Sequence, residues 1–295
     1  MMKNDMRDMK AEYERCRVLV EDRLDSFFIG EYPYKMLLES MRYSLLAGGK
    51  RVRPVICLKF CEAAGGDMEK ALDAACAIEM LHTYSLIHDD LPCMDDDDLR
   101  RGMPSNHKEY GVFTATLAGD ALQAAAFETL LKSDLPPAIV AEMAQILAEA
   151  AGAHGICGGQ YLDMREERAE LSKIEETHRL KTSALISASA RIGVLAAGGA
   201  PEIIAAAGQY ALSVGLAFQV RDDILDQTAT AEEIGKPTGS DMKNDKSTFA
   251  LILGIDRCEE IIRLETEKAV SALEGRLDDA EFLIWLAKSL AERAG

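Results

Sequence analysis

The sequence predicts an all-α fold: a single large helical domain over residues 1–295. Three observations lead there. Apolar residues recur with a period near 3.6 along most of the chain, with short breaks. Aromatic residues make up only 6%, while Ala, Leu, Met, Glu and Lys recur, which favours helices over strands. No segment alternates apolar and polar residues between hairpin turns, so a sheet is not expected.

The periodicity places helices at 5–27, 34–47, 52–63, 69–91, 112–132, 137–154, 174–197, 202–228, 247–273 and 278–293. Gly48 and Gly49 suit a left-handed end to the second helix, and Pro54 favours the start of the third. Cys57 and Cys61, four residues apart, read as one apolar face. Asp67 is the N-cap of the fourth helix. Pro136 and Pro137 open the sixth, and Pro201 opens the eighth. Ile203 to Val220 carries no charge, but Gln209, Ser213 and Gln219 interrupt it and Arg221, Asp222 and Asp223 follow at once. A buried core helix is expected there in preference to a membrane span. Thr228 to Ser247 is the longest irregular stretch, with Gly235, Pro237 and Gly239, and suits a lid.

Composition narrows the function. The 33 Lys and Arg against 50 Asp and Glu leave a net charge of −17. Nucleic acids and anionic membranes require a positive field, so neither is an expected partner, and no membrane insertion is expected. The seven cysteines are scattered and form no CxxC pair. Reduced, mostly buried thiols in a cytoplasmic protein fit better than a disulfide framework or zinc ribbon. The N-terminus, with Asp5 and Asp8, lacks the apolar centre of a signal peptide.

Two acidic motifs stand out. HDDLPCMDDDDLRRG, His88 to Gly102, packs Asp89, Asp90, Asp95, Asp96, Asp97 and Asp98 into ten residues after the mostly apolar run Ala75 to Ile87. Carboxylates at a helix C-terminus oppose the helix dipole, and hard divalent cations are the natural offset. FQVRDDILD, Phe218 to Asp226, sets Asp222 and Asp226 on one helical face with Asp223 beside them. Mg²⁺ commonly binds through one or two carboxylates plus substrate phosphates, so two such clusters facing one another imply a phosphorylated ligand between them. In the first motif, Asp89 and Asp95 would lie on different faces of an unbroken helix. Pro92 forces a bend or bulge that can bring them together.

Cations for a diphosphate are also present. GGKRVRP supplies Lys50, Arg51 and Arg53; Arg100 and Arg101 follow the first aspartate cluster; Lys181, Lys236 and Lys246 are isolated candidates. Together these are the requirements for ionising an allylic diphosphate: metal and cations on the leaving group, and an apolar pocket that shelters a carbocation.

With these residues in hand the chain resembles the trans-isoprenyl diphosphate synthases, most of all the bacterial farnesyl diphosphate synthase group. The resemblance runs from about Leu37 to Leu290, with five motif blocks in the family's order. It implies the isoprenoid synthase fold, a single large helical bundle around a central apolar cavity, together with a homodimer and Mg²⁺ as cofactor, three ions once diphosphate is bound. Asp89 and Asp95 resemble the first-motif ligands, with Asp90 adjacent. Asp222 resembles the principal second-motif ligand, with Asp223 and Asp226 in support. Lys50, Arg53, His82 and Arg101 are similar to the isopentenyl diphosphate site. Arg100, Lys181, Lys236 and Lys246 are similar to the allylic diphosphate site. Thr182 and Gln219 resemble the polar groups that stabilise the cation. The implied mechanism is ionisation of the allylic diphosphate, attack by the isopentenyl double bond, and proton loss to the departing pyrophosphate.

Chain length is read at Tyr84, about 7.5 Å before Asp89 along the helix. A ring there would form a floor under the growing chain, while Ser85 is small. In the family an aromatic at this position accompanies C15 products, so farnesyl diphosphate is expected from dimethylallyl and geranyl diphosphate. Geranylgeranyl diphosphate is the alternative. A terpene cyclase or a non-catalytic synthase subunit fits less well, because Lys50, Arg53 and His82 provide for a second diphosphate and both aspartate motifs are intact. The chain departs from the family in ending at AERAG, without a basic tail.

Overall fold

The computed structural model describes residues 2–165, 170–228, 248–277 and 279–292. Its described residues form α1 (Met2–Asp25), α2 (Lys35–Leu45), α3 (Val52–Ala63), α4 (Met68–Asp89), α5 (Asn106–Tyr110), α6 (Val112–Leu131), α7 (Pro137–Ala151), α8 (Ile156–Asp163), α9 (Leu171–His178), α10 (Ala184–Ala196), α11 (Pro201–Thr228), α12 (Phe249–Leu253), α13 (Ile255–Leu273) and α14 (Glu281–Ala291). A π-helical turn, Arg179–Ser183, joins α9 to α10. The expected all-α fold is therefore observed.

The helices arrange themselves by how many faces they bury. In α4, Ala74 to Leu81 are all buried, and α10 is buried nearly all round. Helices apolar on every side belong at the centre. α3, α6 and α7 pack around them, and α1, α2 and α14 close the outside. A smaller apolar cluster, including Ile174, Val220, Ile224, Phe249 and Cys258, joins α9 to the C-terminal half of α11, α12 and α13. The uncharged run of α11 lies between α10 and α13. Its Tyr210 is fully buried and donates to the Leu283 carbonyl at 2.7 Å. Of the seven cysteines, five are buried, Cys57 and Cys61 among them, and all are free.

Several expected boundaries hold for local reasons. Asp67 Oδ1 accepts from Glu69 N at 3.0 Å, Pro136 precedes α7, and α11 opens at Pro201. Others change. The expected helix 69–91 ends at Asp89. The helix 137–154 stops at Ala151, and α8 follows as a separate element. The glycines at 155, 158 and 159 hide α8 from the periodicity, because glycine is a poor helix former. The helix 247–273 is broken at Gly254, where φ is +79°. One short antiparallel hairpin does form, β1 (Leu99–Arg100) with β2 (Met103–Pro104). Its turn residues Arg101 and Gly102 have φ of 54° and 77°, the signs a type I′ hairpin turn requires. Of the lid expected over 228–247, Thr228 closes α11; residues 229–247 lie outside the described residues.

Candidate active site

The first aspartate motif sits where α4 stops. Past Asp90 the chain folds back: Met94 N donates to the Leu91 carbonyl at 2.8 Å, and Asp95 N donates to the Asp89 carbonyl at 2.9 Å. This loop, with Pro92 inside it, returns Asp95 to Asp89. Asp89 is the carboxylate that this gathering perturbs. Burial pushes its carboxyl up to about 6, with Asp95 and Asp90 adding to the rise and Lys181 and Arg100 opposing it. A carboxyl held this way gains from a cation. Asp90 is almost fully buried and receives Arg100 Nε at 3.0 Å and 3.2 Å on its two oxygens, with a further bond from Nη2. Arg100 also reaches Asp97 at 3.4 Å. Asp96 and Asp98 pair with Lys108, at 3.8 Å and 2.7 Å. Arg100 thus ties Asp90 and Asp97 to the hairpin, and Lys108 ties Asp96 and Asp98 to α5.

The cations gather on the other side of α4. Arg53 Nη1 lies 3.4 Å from His82 Nε2. Arg101 donates to the Gly48 carbonyl. Gly49, at φ +119°, leaves room for it: a Cβ there would meet the Arg101 guanidinium at 2.8 Å. Burial pushes His82 well below the usual histidine range, and Arg53, Arg101, Arg51 and Arg100 all add to that shift. His82 is therefore neutral in a strongly positive surround, which suits an anionic ligand bound without metal. Lys50 is exposed at the rim, and Tyr13 donates to its carbonyl.

The π turn bridges the two aspartate motifs. Lys181 Nζ pairs with Asp163 Oδ2 of α8 at 2.8 Å while acting on Asp89. Its neighbour Thr182 donates to Gln219 Oε1 at 2.6 Å. Gln219 lies one turn before Asp222, so the bond ties the turn to the second motif. Asp222 and Asp226 are part-buried. Asp223 is buried and accepts from Phe249 N at 2.8 Å, which fixes the start of α12. Two glycines let the turn approach its neighbours. A Cβ on Gly159 would meet Lys181 N at 2.2 Å, and one on Gly215 would meet Ser183 Oγ at 2.4 Å. Lys236 and Lys246 lie outside the described residues.

Tyr84 is buried. Its hydroxyl lies 3.4 Å from the Ala151 carbonyl and 3.5 Å from Cys157 Sγ, and its ring stands edge-on to His88 at 5.7 Å. Burial pushes its phenol up. Ser85 turns back to the His82 carbonyl at 2.9 Å.

Among the described residues no three acidic, histidine or cysteine side chains form a ready-made metal cage. The crowded, all-oxygen pair Asp89 and Asp95 nevertheless fits a hard divalent ion completed by ligand phosphates. Sequence reasoning missed Asp163, the partner of Lys181, and Glu79, a buried partner of the arginines. It also missed Gln160, whose buried amide has no hydrogen-bond partner among the described residues. The polar residues after Gly158 and Gly159 were the available signal.

The polyprenyl synthetase family model matches residues 34–281. A geranylgeranyl pyrophosphate synthase of Capsicum annuum chloroplasts is 46% identical over 264 residues, covering 88% of this chain and 71% of the relative. Among solved structures, a geranylgeranyl pyrophosphate synthetase from Pyrococcus horikoshii superposes with a TM-score of 0.89 at 32% identity, covering 97% of this chain and 99% of that one. An FPP/GFPP synthase from Zymomonas mobilis does so at 0.87 and 33%, with the same coverage. The curated relatives therefore favour the C20 alternative over the farnesyl product expected from Tyr84.

Proposed function

The chain belongs to the polyprenyl synthetase family, and on that premise we propose that it is a trans-prenyltransferase joining isopentenyl diphosphate to an allylic diphosphate. The observation that carries this is the pairing of two unlike anion sites on α4. Asp89 and Asp95, with Lys181 alongside, suit a metal-bound diphosphate. Arg53, Arg101 and neutral His82 suit a second diphosphate held by cations alone. Mg²⁺ bound by Asp89, Asp95 and Asp222 would supply Lewis-acid stabilisation of the leaving diphosphate. Lys181 and Arg100 add positive charge where negative charge develops. Arg53, Arg101 and Lys50 hold isopentenyl diphosphate so that its double bond faces the allylic carbon. The Thr182 and Gln219 oxygens face the cation that forms. Proton loss to the departing pyrophosphate completes the reaction.

For the product, the position of Tyr84 under Asp89 supports C15, a ring closing the path of the chain. The names of the relatives support C20 as the second reading. Mass spectrometry of products from isopentenyl and dimethylallyl diphosphate, with and without Mg²⁺, separates them. A Mg²⁺-dependent C15 diphosphate supports Tyr84 as floor, and a C20 diphosphate supports the relatives. No product from any allylic primer overturns the transferase. Tyr84→Ala should extend the product by at least one C5 unit, and unchanged products would sink the floor. The family resemblance also suggests a homodimer. The exposed Phe113 and Leu117 on α6, at 75% and 43%, would be its natural contact.

A further inference from the structure

Arg51 stands between two cations of the proposed site yet turns away from both. It is 3% exposed and sits at φ 51°, ψ 34°, a left-handed backbone uncommon for a side chain of its size. Its guanidinium spans three elements. Nη1 donates to Glu79 Oε1 of α4 at 2.7 Å, Nη2 donates to the Leu45 carbonyl at the end of α2 at 2.8 Å, and Nε lies 3.7 Å from Glu21 of α1. Glu79 is itself 1% exposed. One helical turn further along α4 is His82, the partner of Arg53, and Arg53 is two residues past Arg51. The same two segments, the start of α3 and the middle of α4, thus meet twice. One meeting is a buried ion pair and the other faces the site.

We infer that the Arg51–Glu79 pair is a positioning device for isopentenyl diphosphate: it sets the start of α3 on α4 so that Arg53 and Arg101 converge on one diphosphate. This rests on the transferase reading above. Glu79 does more than hold Arg51, because its charge also attracts both Arg53 and Arg101. These two guanidiniums repel one another in a buried space, and Glu79 offsets that repulsion. Among the described residues the pair's bonds run to one another, to Leu45 of α2 and to Glu21 of α1, and none reaches Asp89 or Lys181, so its influence should fall on one substrate.

Steady-state kinetics of Glu79→Gln and Arg51→Lys test this, with each substrate varied in turn and the melting temperature recorded. Both substitutions stay close in size to the residue they replace, and the Glu79→Gln amide oxygen can still accept from Arg51 Nη1. The expected result is a KM for isopentenyl diphosphate raised about tenfold, with the KM for geranyl diphosphate changed less than about twofold. Two equally raised KM values, or a lowered melting temperature with both KM values unmoved, would overturn the inference. Should both variants fail to fold, Glu21→Gln carries the test. It loosens the outer contact of Arg51, and a selective rise of about twofold is expected, no change being the overturning result. Absence of condensation by the unaltered protein would instead remove the transferase reading, and is scored separately.

Discussion

Three of the four described non-glycine residues with positive φ are Arg51, Asp96 and Arg101, and all three lie within the two cationic and acidic segments of the site. Each such backbone costs free energy that surrounding contacts must offset. Arg101 is held by the Gly48 carbonyl, and Asp96 by its own amide bond to Leu91 at 3.2 Å. His178 makes a different demand. Its ring stacks on Phe249 at 5.5 Å, and burial pushes it down to about 4, with Asp163 opposing and Lys181 adding. The unfolded chain therefore takes up this proton before the folded one does. Stability is full above pH 6.5 and falls as pH drops towards 4, by about 3 kcal/mol from this group. Denaturant unfolding across that range should show the loss, and His178→Gln should flatten the curve. An unchanged curve would exclude His178 as its source.

At the level of elements, the π turn depends on glycine more than on any charged residue. Gly159 lets α8 reach the backbone of Lys181, and Gly215 lets α11 reach Ser183. Gly159→Ala should push the turn away from Asp89. A loss of about a hundredfold in kcat/KM is expected, with only about 1–3 kcal/mol of stability lost to overpacking. Kinetics beside a thermal melt would reveal that imbalance, and equal damage to both would refute it. The long helices were legible because α4, α10 and α11 bury continuous apolar runs, and the aspartate motifs were legible because they interrupt such runs. The bridge between them was not. Residues 174–197 read as one helix, since a π turn preserves composition and alters only register. α8 was masked by its glycines, which serve packing and carry no periodic signal. Glu79 is hidden in the mostly apolar run Ala75 to Ile87, and its partner Arg51 reads as a cation for the diphosphate, because burial of an ion pair cannot be read from spacing.

For the whole molecule, both proposed anion sites are served by α4, with α3 and the hairpin on one side and the π turn on the other. Core packing and site geometry are therefore one problem. Deleting the Tyr210 hydroxyl, which ties α11 to Leu283, should cost about 1 kcal/mol without altering the product, as denaturation and product analysis would show. The proposed dimer belongs at this scale as well. Phe113→Glu should convert a dimer to a monomer in sedimentation, and an unaltered sedimentation coefficient would remove α6 from the contact.

The π turn has one more consequence. Such a turn is an α-helix carrying one surplus residue. Removing one residue from 179–183 would restore an ordinary hydrogen-bond ladder and swing the following side chains through about 100° relative to those before it. Lys181 and Thr182 could then no longer serve Asp89 and Gln219 together. Alignment of the proposed site is in part a matter of counting: a single-codon deletion, with no charged group changed, would separate its two halves.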